Sequence, residues 1–303
     1  MQEDSLDKRY FYKLSTNIVG MLVNLVTQAI IPRSLGPRAY GDFNFLTNFF
    51  SQVAGFLDMG TSTAFYTKVS QRQSDQGLIS FYGIFLVVMG FFIVLFVVMA
   101  DLMDLSSLFW PDQALFYIYL AAGFIILTWI TRVLNQMADA YGVTVWAEKA
   151  LMTQKVLLMI LLFVLFSIDR LNLTRFFFCN YLSLIFIGMA FLFIINYKVY
   201  PIRRNWRLSF VQLSSYAKEF YEYSSPLFIY AIIGMIIGIL DRWFLQVYSG
   251  SMEQGFFGLA YQIGAICFLF NSAMTPLFIR DFSIAFSNRN HREMSNLFSR
   301  YIP

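Results

Sequence analysis

Four polar side chains near the middle of the chain fall on one face of a hydrophobic stretch: Arg132, Asn135, Gln136 and Asp139. Their spacing of i, i+3, i+4 and i+7 places them in one line along a helix. Such a line of ionisable and amide groups can bind a polar ligand if it faces a water-filled cavity. Alternatively, these side chains only extend to the lipid headgroups, because they lie at the end of the helix. Lys155, about one turn inside the next hydrophobic stretch, has the same two interpretations.

Two hydrophobic stretches at the start of the chain each carry a polar face along their whole length. At roughly 100° per residue, the polar side chains of each stretch fall on one side of a helix. The first stretch has Lys13, Asn17, Gly20, Asn24, Thr27 and Gln28. The second has Asn44, Asn48, Ser51, Gly55, Asp58 and Ser62. We expect the two faces to line a hydrophilic cavity; the alternative is that they only hydrogen-bond neighbouring helices to one another.

A charged pair, Asp241 and Arg242, ends the seventh hydrophobic stretch, beyond a face of small residues formed by Gly234 and Gly238. The pair is either an ion pair that acts as a gate or an anchor at the membrane interface. The residues alone leave both interpretations open.

The residue types that usually hold metals or phosphates are scarce. The single histidine, His291, lies in a basic loop, and Cys179 and Cys267 lie within hydrophobic stretches. The chain has neither the usual zinc-ligand spacings nor a glycine-rich phosphate loop. We therefore expect no metal site, no cofactor and no ATP hydrolysis.

The elements that must position these side chains are membrane-spanning helices. Hydrophobic residues make up 58% of the chain and charged residues 13%, which is about half the charged share of a soluble domain. Eight stretches are long enough to cross a hydrocarbon core, which needs about 20 residues each. They are residues 14–31, 43–66, 78–100, 114–135, 151–168, 176–197, 223–247 and 256–278. The expected fold is an all-α polytopic membrane protein.

The positions of Lys and Arg predict how these helices are oriented. If the N-terminus is cytoplasmic, most of the 22 Lys and Arg residues fall on the cytoplasmic side. The outer segments then hold only Arg33, Arg38, Arg170, Arg175 and Arg242. This asymmetry favours a cytoplasmic N-terminus. It also accounts for the net charge of +4, so we expect no nucleic-acid partner.

A turn near the start of the chain is repeated in its second half. Residues 35–41 read Leu-Gly-Pro-Arg-Ala-Tyr-Gly, and residues 249–255 read Ser-Gly-Ser-Met-Glu-Gln-Gly, 214 positions later. Both turns place two glycines five positions apart, and both are followed by an aromatic-rich apolar stretch. Repeats in a membrane chain predict two lobes with a ligand site where they meet.

This repeat divides the chain into three parts. Residues 1–199 are expected to form a lobe of six helices, residues 200–222 a basic amphipathic linker on the cytoplasmic leaflet, and residues 223–303 the first two helices of a second lobe. The basic residues of the linker are Arg203, Arg204, Arg207 and Lys218. A ninth helix is expected to begin near Tyr301, so we expect the second lobe to be incomplete in this chain.

The order and spacing of several short motifs resemble those of a known transporter family. In the first half the motifs are Leu35-Gly36-Pro37-x-x-Tyr40-Gly41 and Asp58-Met59-Gly60. In the second half they are Ser225-Pro226-Leu227, Asp241-Arg242, Gly255-x-x-Gly258-x-Ala260-Tyr261 and Pro276. The chain is similar over nearly its whole length to the Wzx-type polysaccharide flippases of the multidrug/oligosaccharidyl-lipid/polysaccharide exporter (MOP) superfamily. The resemblance implies two six-helix lobes around a central cavity.

The resemblance also implies a cargo, namely a polyprenyl diphosphate that carries a short oligosaccharide. The planar fork of arginine suits a diphosphate. Arg132, with Lys155 second, is therefore expected to bind the diphosphate on the inner side and Arg242 on the outer side. The side chains expected to meet sugar hydroxyls are Asn24, Gln28 and Asn48.

Carboxylates partway into the bilayer are candidates for ion coupling, because their protonation can change with access. Asp58 is the first candidate, and Asp139 and Asp241 are further coupling or gate residues. Asp58 can also serve only to cap the helical turn that follows it.

Two other functions remain open from the sequence. One is a multidrug or organic-cation antiporter of the same superfamily, whose cavity is expected to be more acidic than the set Arg132, Lys155 and Arg242 suggests. The other is a membrane polymerase or ligase of polysaccharide assembly, which needs a larger outer loop than any predicted for this chain. The expectation is therefore a transporter, not an enzyme, in the bacterial cytoplasmic membrane. Its expected partners are the lipid-linked oligosaccharide, membrane lipid and other membrane proteins of polysaccharide assembly.

Overall fold

The protein is a bundle of helices, seen in a computed structural model that describes residues 6–198, 209–264, 269–288 and 291–301. The helices are α1 (Leu6–Asp58), α2 (Thr61–Gln71), α3 (Gln76–Leu102), α4 (Ser106–Phe109), α5 (Leu115–Ala140), α6 (Thr144–Ser167), α7 (Leu173–Lys198), α8 (Phe210–Ser224), α9 (Phe228–Gly264), α10 (Leu269–Ser287) and α11 (His291–Tyr301). These described ranges contain no strand. The predicted all-α polytopic fold is confirmed.

Six described helical stretches are long and apolar enough to cross a membrane: α1, α3, α5, α6, α7 and the stretch from Phe210 to Gly264 that contains α9. The two longest helices, α1 and α9, are each broken by a glycine with positive φ. Gly36 breaks α1 (φ 75°, ψ 160°), and Gly250 breaks α9 (φ 78°, ψ −176°). This backbone conformation is open to glycine and strained for other residues. The break at Gly36 separates the first two predicted stretches, and the break at Gly250 lies between the seventh and the eighth. The eighth predicted stretch includes residues 265–268, which lie outside the described residues, so the number eight stays a prediction.

One predicted helix boundary is wrong. The expected helix over residues 43–66 is interrupted, because α1 ends at Asp58 and α2 begins at Thr61. Gly60 between them has φ 76°. Asp58 Oδ1 accepts hydrogen bonds from the backbone N of Ser62 at 2.9 Å and from Thr61 Oγ1 at 3.0 Å. Oxygen acceptors of this kind satisfy the free N–H groups at a helix start, so the side chain that ends one helix also caps the next.

The described part of the predicted linker is the amphipathic helix α8. A capping box between Ser209 and Gln212 starts it. Glu219 forms an ion pair with Lys68 of α2 at 2.6 Å, and Tyr216 Oη donates a hydrogen bond to Asp75 Oδ1 at 2.8 Å. These bonds hold α8 against the first half of the chain. The basic residues Arg203, Arg204 and Arg207, like Cys267, lie outside the described residues, and the division into lobe, linker and second lobe stays a prediction.

An aromatic core holds α2, α3 and α5 together. The rings of Phe65 and Tyr82 stack with centroids 4.3 Å apart. The indole Nε1 of Trp129 donates to Ser62 Oγ at 3.2 Å. Outward-facing aromatic side chains such as Phe91 are exposed, as expected where a helix meets lipid. This core fixes α5, which carries Arg132 and Asp139, against α2 and α3.

Candidate functional site

A cleft of about 820 Å³ lies between the first part of α1, helices α6 and α7, and the second part of α9. Its polar lining side chains are Asn17, Asn24, Thr27, Gln28, Lys155, Asn180 and Gln262. Much of the remaining lining is apolar, including Leu158, Leu162, Phe176, Leu259 and Ile263. Four of the seven polar lining residues belong to α1, and the others come from α6, α7 and α9, so polar and apolar groups are mixed around the cleft. Of the two predicted polar faces, the first therefore lines a cleft, from Asn17 to Gln28.

The polar face of the second predicted helix packs against α9 and does not line this cleft. Asn48 Nδ2 donates to the backbone carbonyl of Gly238 at 2.9 Å. A methyl group on Gly258 would overlap the side chain of Asn44, and one on Gly238 would overlap Gln52. These amides therefore pack the second part of α1 closely against α9. This is the alternative of helix-to-helix hydrogen bonding.

A second cavity of about 340 Å³ lies toward the N-terminal end of α1. It shares Asn17 and Lys155 with the larger cleft. Lys155 Nζ donates to the backbone carbonyl of Thr16 at 3.3 Å, and it fills the space that Gly20 leaves, because a methyl group there would overlap it. The other lining residues with polar side chains are Lys13, Thr16, Thr63, Tyr66, Arg132, Asn135, Gln136, Asp139 and Glu148. The whole predicted α5 face therefore lines the same cavity as Lys155.

A buried ion triad closes one wall of this smaller cavity. Lys13 Nζ lies 2.8 Å from Asp139 Oδ2 and 3.0 Å from Glu148 Oε1. The three side chains are 8%, 2% and 4% exposed. Charges are buried to this extent only when they are paired. The triad therefore fixes α1, α5 and α6 relative to one another.

Helix α10 covers the same end of the bundle. Arg9 of α1 forms an ion pair with Asp281 at 3.2 Å, and Arg280 forms one with Asp281 at 2.9 Å. Arg280 Nε also donates to the carbonyl of Ala140, at the end of α5, at 3.4 Å. This network joins α10, in the second half of the chain, to α1 and α5 next to the smaller cavity.

At the opposite end of the bundle the two repeated turns pack against each other. A methyl group on Gly41 would overlap the carbonyl oxygen of Ser251, and one on Gly255 would overlap the carbonyl oxygen of Pro37. The contact is reciprocal, because each turn presents its second glycine to the residue that follows the first glycine of the other turn. The first glycine of each turn breaks the helix, and the second lets the two backbones touch. We call this contact between residues 36–41 and 250–255 the glycine seam.

A hydrogen-bonded pair of side chains, at equivalent positions of the repeat, lies next to each turn. Tyr40 Oη donates to Gln28 Oε1 at 2.6 Å, and Arg242 donates to Gln254 Oε1 at 3.2 Å. Each pair spans the same 12 residues, and the two pairs are 214 positions apart. Gln262 Nε2 also donates to Tyr40 Oη at 3.2 Å, which joins the two halves. The repeat is therefore structural as well as sequential.

One known protein family matches most of the chain. The family described as Polysaccharide biosynthesis protein matches residues 6–280. The chain belongs to this family. No curated protein matches the chain closely enough to count as a relative.

The fold of this polysaccharide biosynthesis protein is shared with transporters of the MOP superfamily. One from Pyrococcus furiosus is 16% identical, with a TM-score of 0.63 over 98% of this chain and 68% of its own. An inward-facing multidrug-resistance transporter of the MATE family is 16% identical, with a TM-score of 0.61 over 96% of this chain and 69% of its own. The Vibrio cholerae MATE transporter VcmN is 15% identical, with a TM-score of 0.60 over 97% of this chain and 68% of its own. The protein is thus a multi-pass membrane protein with a transporter fold.

The predicted site residues of this family member fall into two groups. Arg132, Lys155 and Asp139 meet at the smaller cavity, and Asn24 and Gln28 line the cleft. Their roles as ligand-binding or coupling residues stay predictions.

The other predicted residues lie outside both cavities. Asn48 packs against α9, and Asp58 caps α2. Arg242 is buried at the glycine seam, with its guanidinium 4.2 Å from the centre of the Phe257 ring, whereas Asp241 is exposed. The expected coupling, gating and outer diphosphate roles of these residues stay predictions.

Sequence reasoning missed Glu148 and Asn180. Glu148 is a buried carboxylate in an apolar helix, and such a residue within a membrane span requires a cationic partner. Because the predicted stretch begins at residue 151 while α6 begins at Thr144, the sequence analysis places Glu148 outside the membrane span. Asn180 carries no such signal, because one amide in an apolar stretch is as common at a helix contact as at a cavity.

Proposed function

We propose that this chain translocates a polyprenyl-diphosphate-linked oligosaccharide across the cytoplasmic membrane, by alternating access, for surface polysaccharide biosynthesis. The observation that carries the proposal is the cleft of mixed polar and apolar lining, which contains Lys155 and shares it with the smaller cavity that Arg132 lines. In the part of the chain that the structure describes, neither cation forms an ion pair with a carboxylate. Both are therefore available to an anionic ligand.

The physical need for such a cleft follows from the cargo. A charged, hydroxylated head group cannot cross hydrocarbon without a large loss of solvation. In this proposal the amides of α1 replace water for the sugar, Lys155 and Arg132 neutralise the diphosphate, and the prenyl chain stays in the lipid. The protein acts in this proposal as a transporter and not as an enzyme, with its N-terminus in the cytoplasm.

A multidrug or organic-cation antiporter is the second candidate, because two of the proteins with this fold are described as MATE transporters. An organic cation would, however, enter beside Lys155 and Arg132. Repulsion between like charges in a partly dry cavity is strong. The anionic cargo therefore fits the described residues better.

Replacing Arg132 with alanine is expected to abolish export of the surface polysaccharide. Hydrogen bonds to charged groups contribute about 1.5–3 kcal/mol each, which corresponds to a loss of affinity of at least about tenfold. The measurement is the amount of surface polymer in cells that depend on this protein, together with the amount of the folded protein in the membrane. Lys155→Met is expected to act in the same direction.

The matched control is Arg170→Ala, because Arg170 is an exposed arginine between α6 and α7. It is expected to export normally. Full export by Arg132→Ala and Lys155→Met would contradict the diphosphate assignment. Active extrusion of an organic cation by the unmodified protein, with no effect on lipid-linked sugars, would favour the antiporter.

A further inference from the structure

Three buried acceptor oxygens at the smaller cavity have no hydrogen-bond partner among the described residues: Asn135 Oδ1, Gln136 Oε1 and Asp139 Oδ1. All three residues line this cavity, and Asp139 is only 2% exposed. Its other carboxylate oxygen is held by Lys13. Buried polar atoms are nearly always hydrogen-bonded in folded proteins. Three unpartnered acceptors close together on α5 therefore point to a ligand that donates hydrogen bonds.

The chemistry of these atoms restricts the donor. An ionised carboxylate only accepts hydrogen bonds, whereas an amide can present either its oxygen or its NH2 group. A ligand with several hydroxyl groups satisfies both types, because a hydroxyl both donates and accepts. Hydroxyl groups on adjacent carbons suit acceptors that follow one another along a helix.

The charges around the cavity argue against a metal cation as the ligand. The basic lining residues are Lys13, Arg132 and Lys155, and the acidic ones are Asp139 and Glu148. Both carboxylates are already paired with Lys13. The two remaining cations leave the cavity with an excess of positive charge, which favours an anion that also carries hydroxyl groups.

We propose that the smaller cavity binds the sugar residue next to the diphosphate. Hydroxyl groups of that sugar donate to Asn135, Gln136 and Asp139, while the diphosphate lies between Lys155 and Arg132. The volume of about 340 Å³ lies at the lower end for small-molecule pockets and suits one sugar residue. The remaining sugars extend past Asn17 into the larger cleft, because Asn17 lines both cavities. This inference rests on the proposed function.

The test compares two probes on the full chain in lipid nanodiscs: citronellyl diphosphate, and citronellyl diphosphate that carries one hexose. The unmodified protein is expected to bind the sugar-bearing probe about tenfold more tightly. Gln136→Leu and Asn135→Leu are expected to remove this preference and to leave the affinity for the sugar-free probe unchanged. Lys155→Met is expected to weaken the binding of both probes by a similar factor.

Gln154→Leu is the matched control, because Gln154 is the neighbour of Lys155 but hydrogen-bonds to Ser183 of α7 and lines neither cavity. It is expected to keep the preference for the sugar. Equal binding of both probes by the unmodified protein would overturn the sugar subsite and leave the diphosphate site standing, as would variants at Asn135 and Gln136 that keep the preference. Failure of both probes to bind would overturn the proposed function itself.

Discussion

Replacing Lys13 with methionine is expected to destabilise the protein strongly. The change removes the partner of two buried carboxylates, Asp139 and Glu148, which are then held near each other without compensation. Removing one member of a buried ion pair typically costs about 3–5 kcal/mol. The measurement is the midpoint of thermal unfolding of the purified protein in detergent, which is expected to fall by many degrees.

Two further variants separate charge from packing. The triple variant with Lys13→Met, Asp139→Asn and Glu148→Gln carries no unpaired charge, so it is expected to recover most of the lost stability. Lys149→Met is the matched control, because Lys149 lies on the exposed side of α6 next to Glu148. A triple variant as unstable as Lys13→Met alone would show that the triad does not act through charge pairing.

Replacing Gly41 with alanine is expected to force the glycine seam apart. The added methyl group meets the backbone carbonyl of Ser251, which cannot rotate away as a flexible side chain would. Overpacking of this kind costs about 1–3 kcal/mol, and a backbone clash belongs at the upper end. Gly255→Ala is expected to have a similar effect, through the carbonyl of Pro37. Thermal unfolding again measures the loss.

Because the seam is reciprocal, the two substitutions are expected not to add. Either methyl group alone separates the turns, so the double variant should be little worse than the worse single variant. Gly55→Ala and Gly234→Ala are the controls, because a methyl group at these helical positions meets no atom within 4 Å. Additive losses, or equal losses in the controls, would contradict the reciprocal contact.

The seam and the ion network lie at opposite ends of the bundle. At one end the two halves of the chain meet through backbone atoms, and at the other they meet through Arg9, Arg280 and Asp281. Two contacts of different chemistry can break one at a time, because a charged network responds to a charged ligand and a glycine contact does not. This arrangement suits the alternating access of the proposed function.

Much of the fold follows from the sequence alone. Its apolar runs predict the helices, and the spacing of Gly36 and Gly41, repeated at Gly250 and Gly255, predicts the two turns. These features are local, because helix period, span length and the need for glycine at positive φ depend on a few neighbouring residues.

Which polar side chains line the candidate site is decided by the tertiary structure. Two stretches have equally polar faces, yet Asn24 lines a cleft while Asn48 packs against α9. Lys13 forms an ion pair with Glu148, which is 135 positions away in the sequence. The periodicity of a sequence shows which face of a helix is polar, but it carries no information on which other helix that face meets. Only the packing of the helices decides whether a polar side chain meets a cavity, a backbone or an opposite charge.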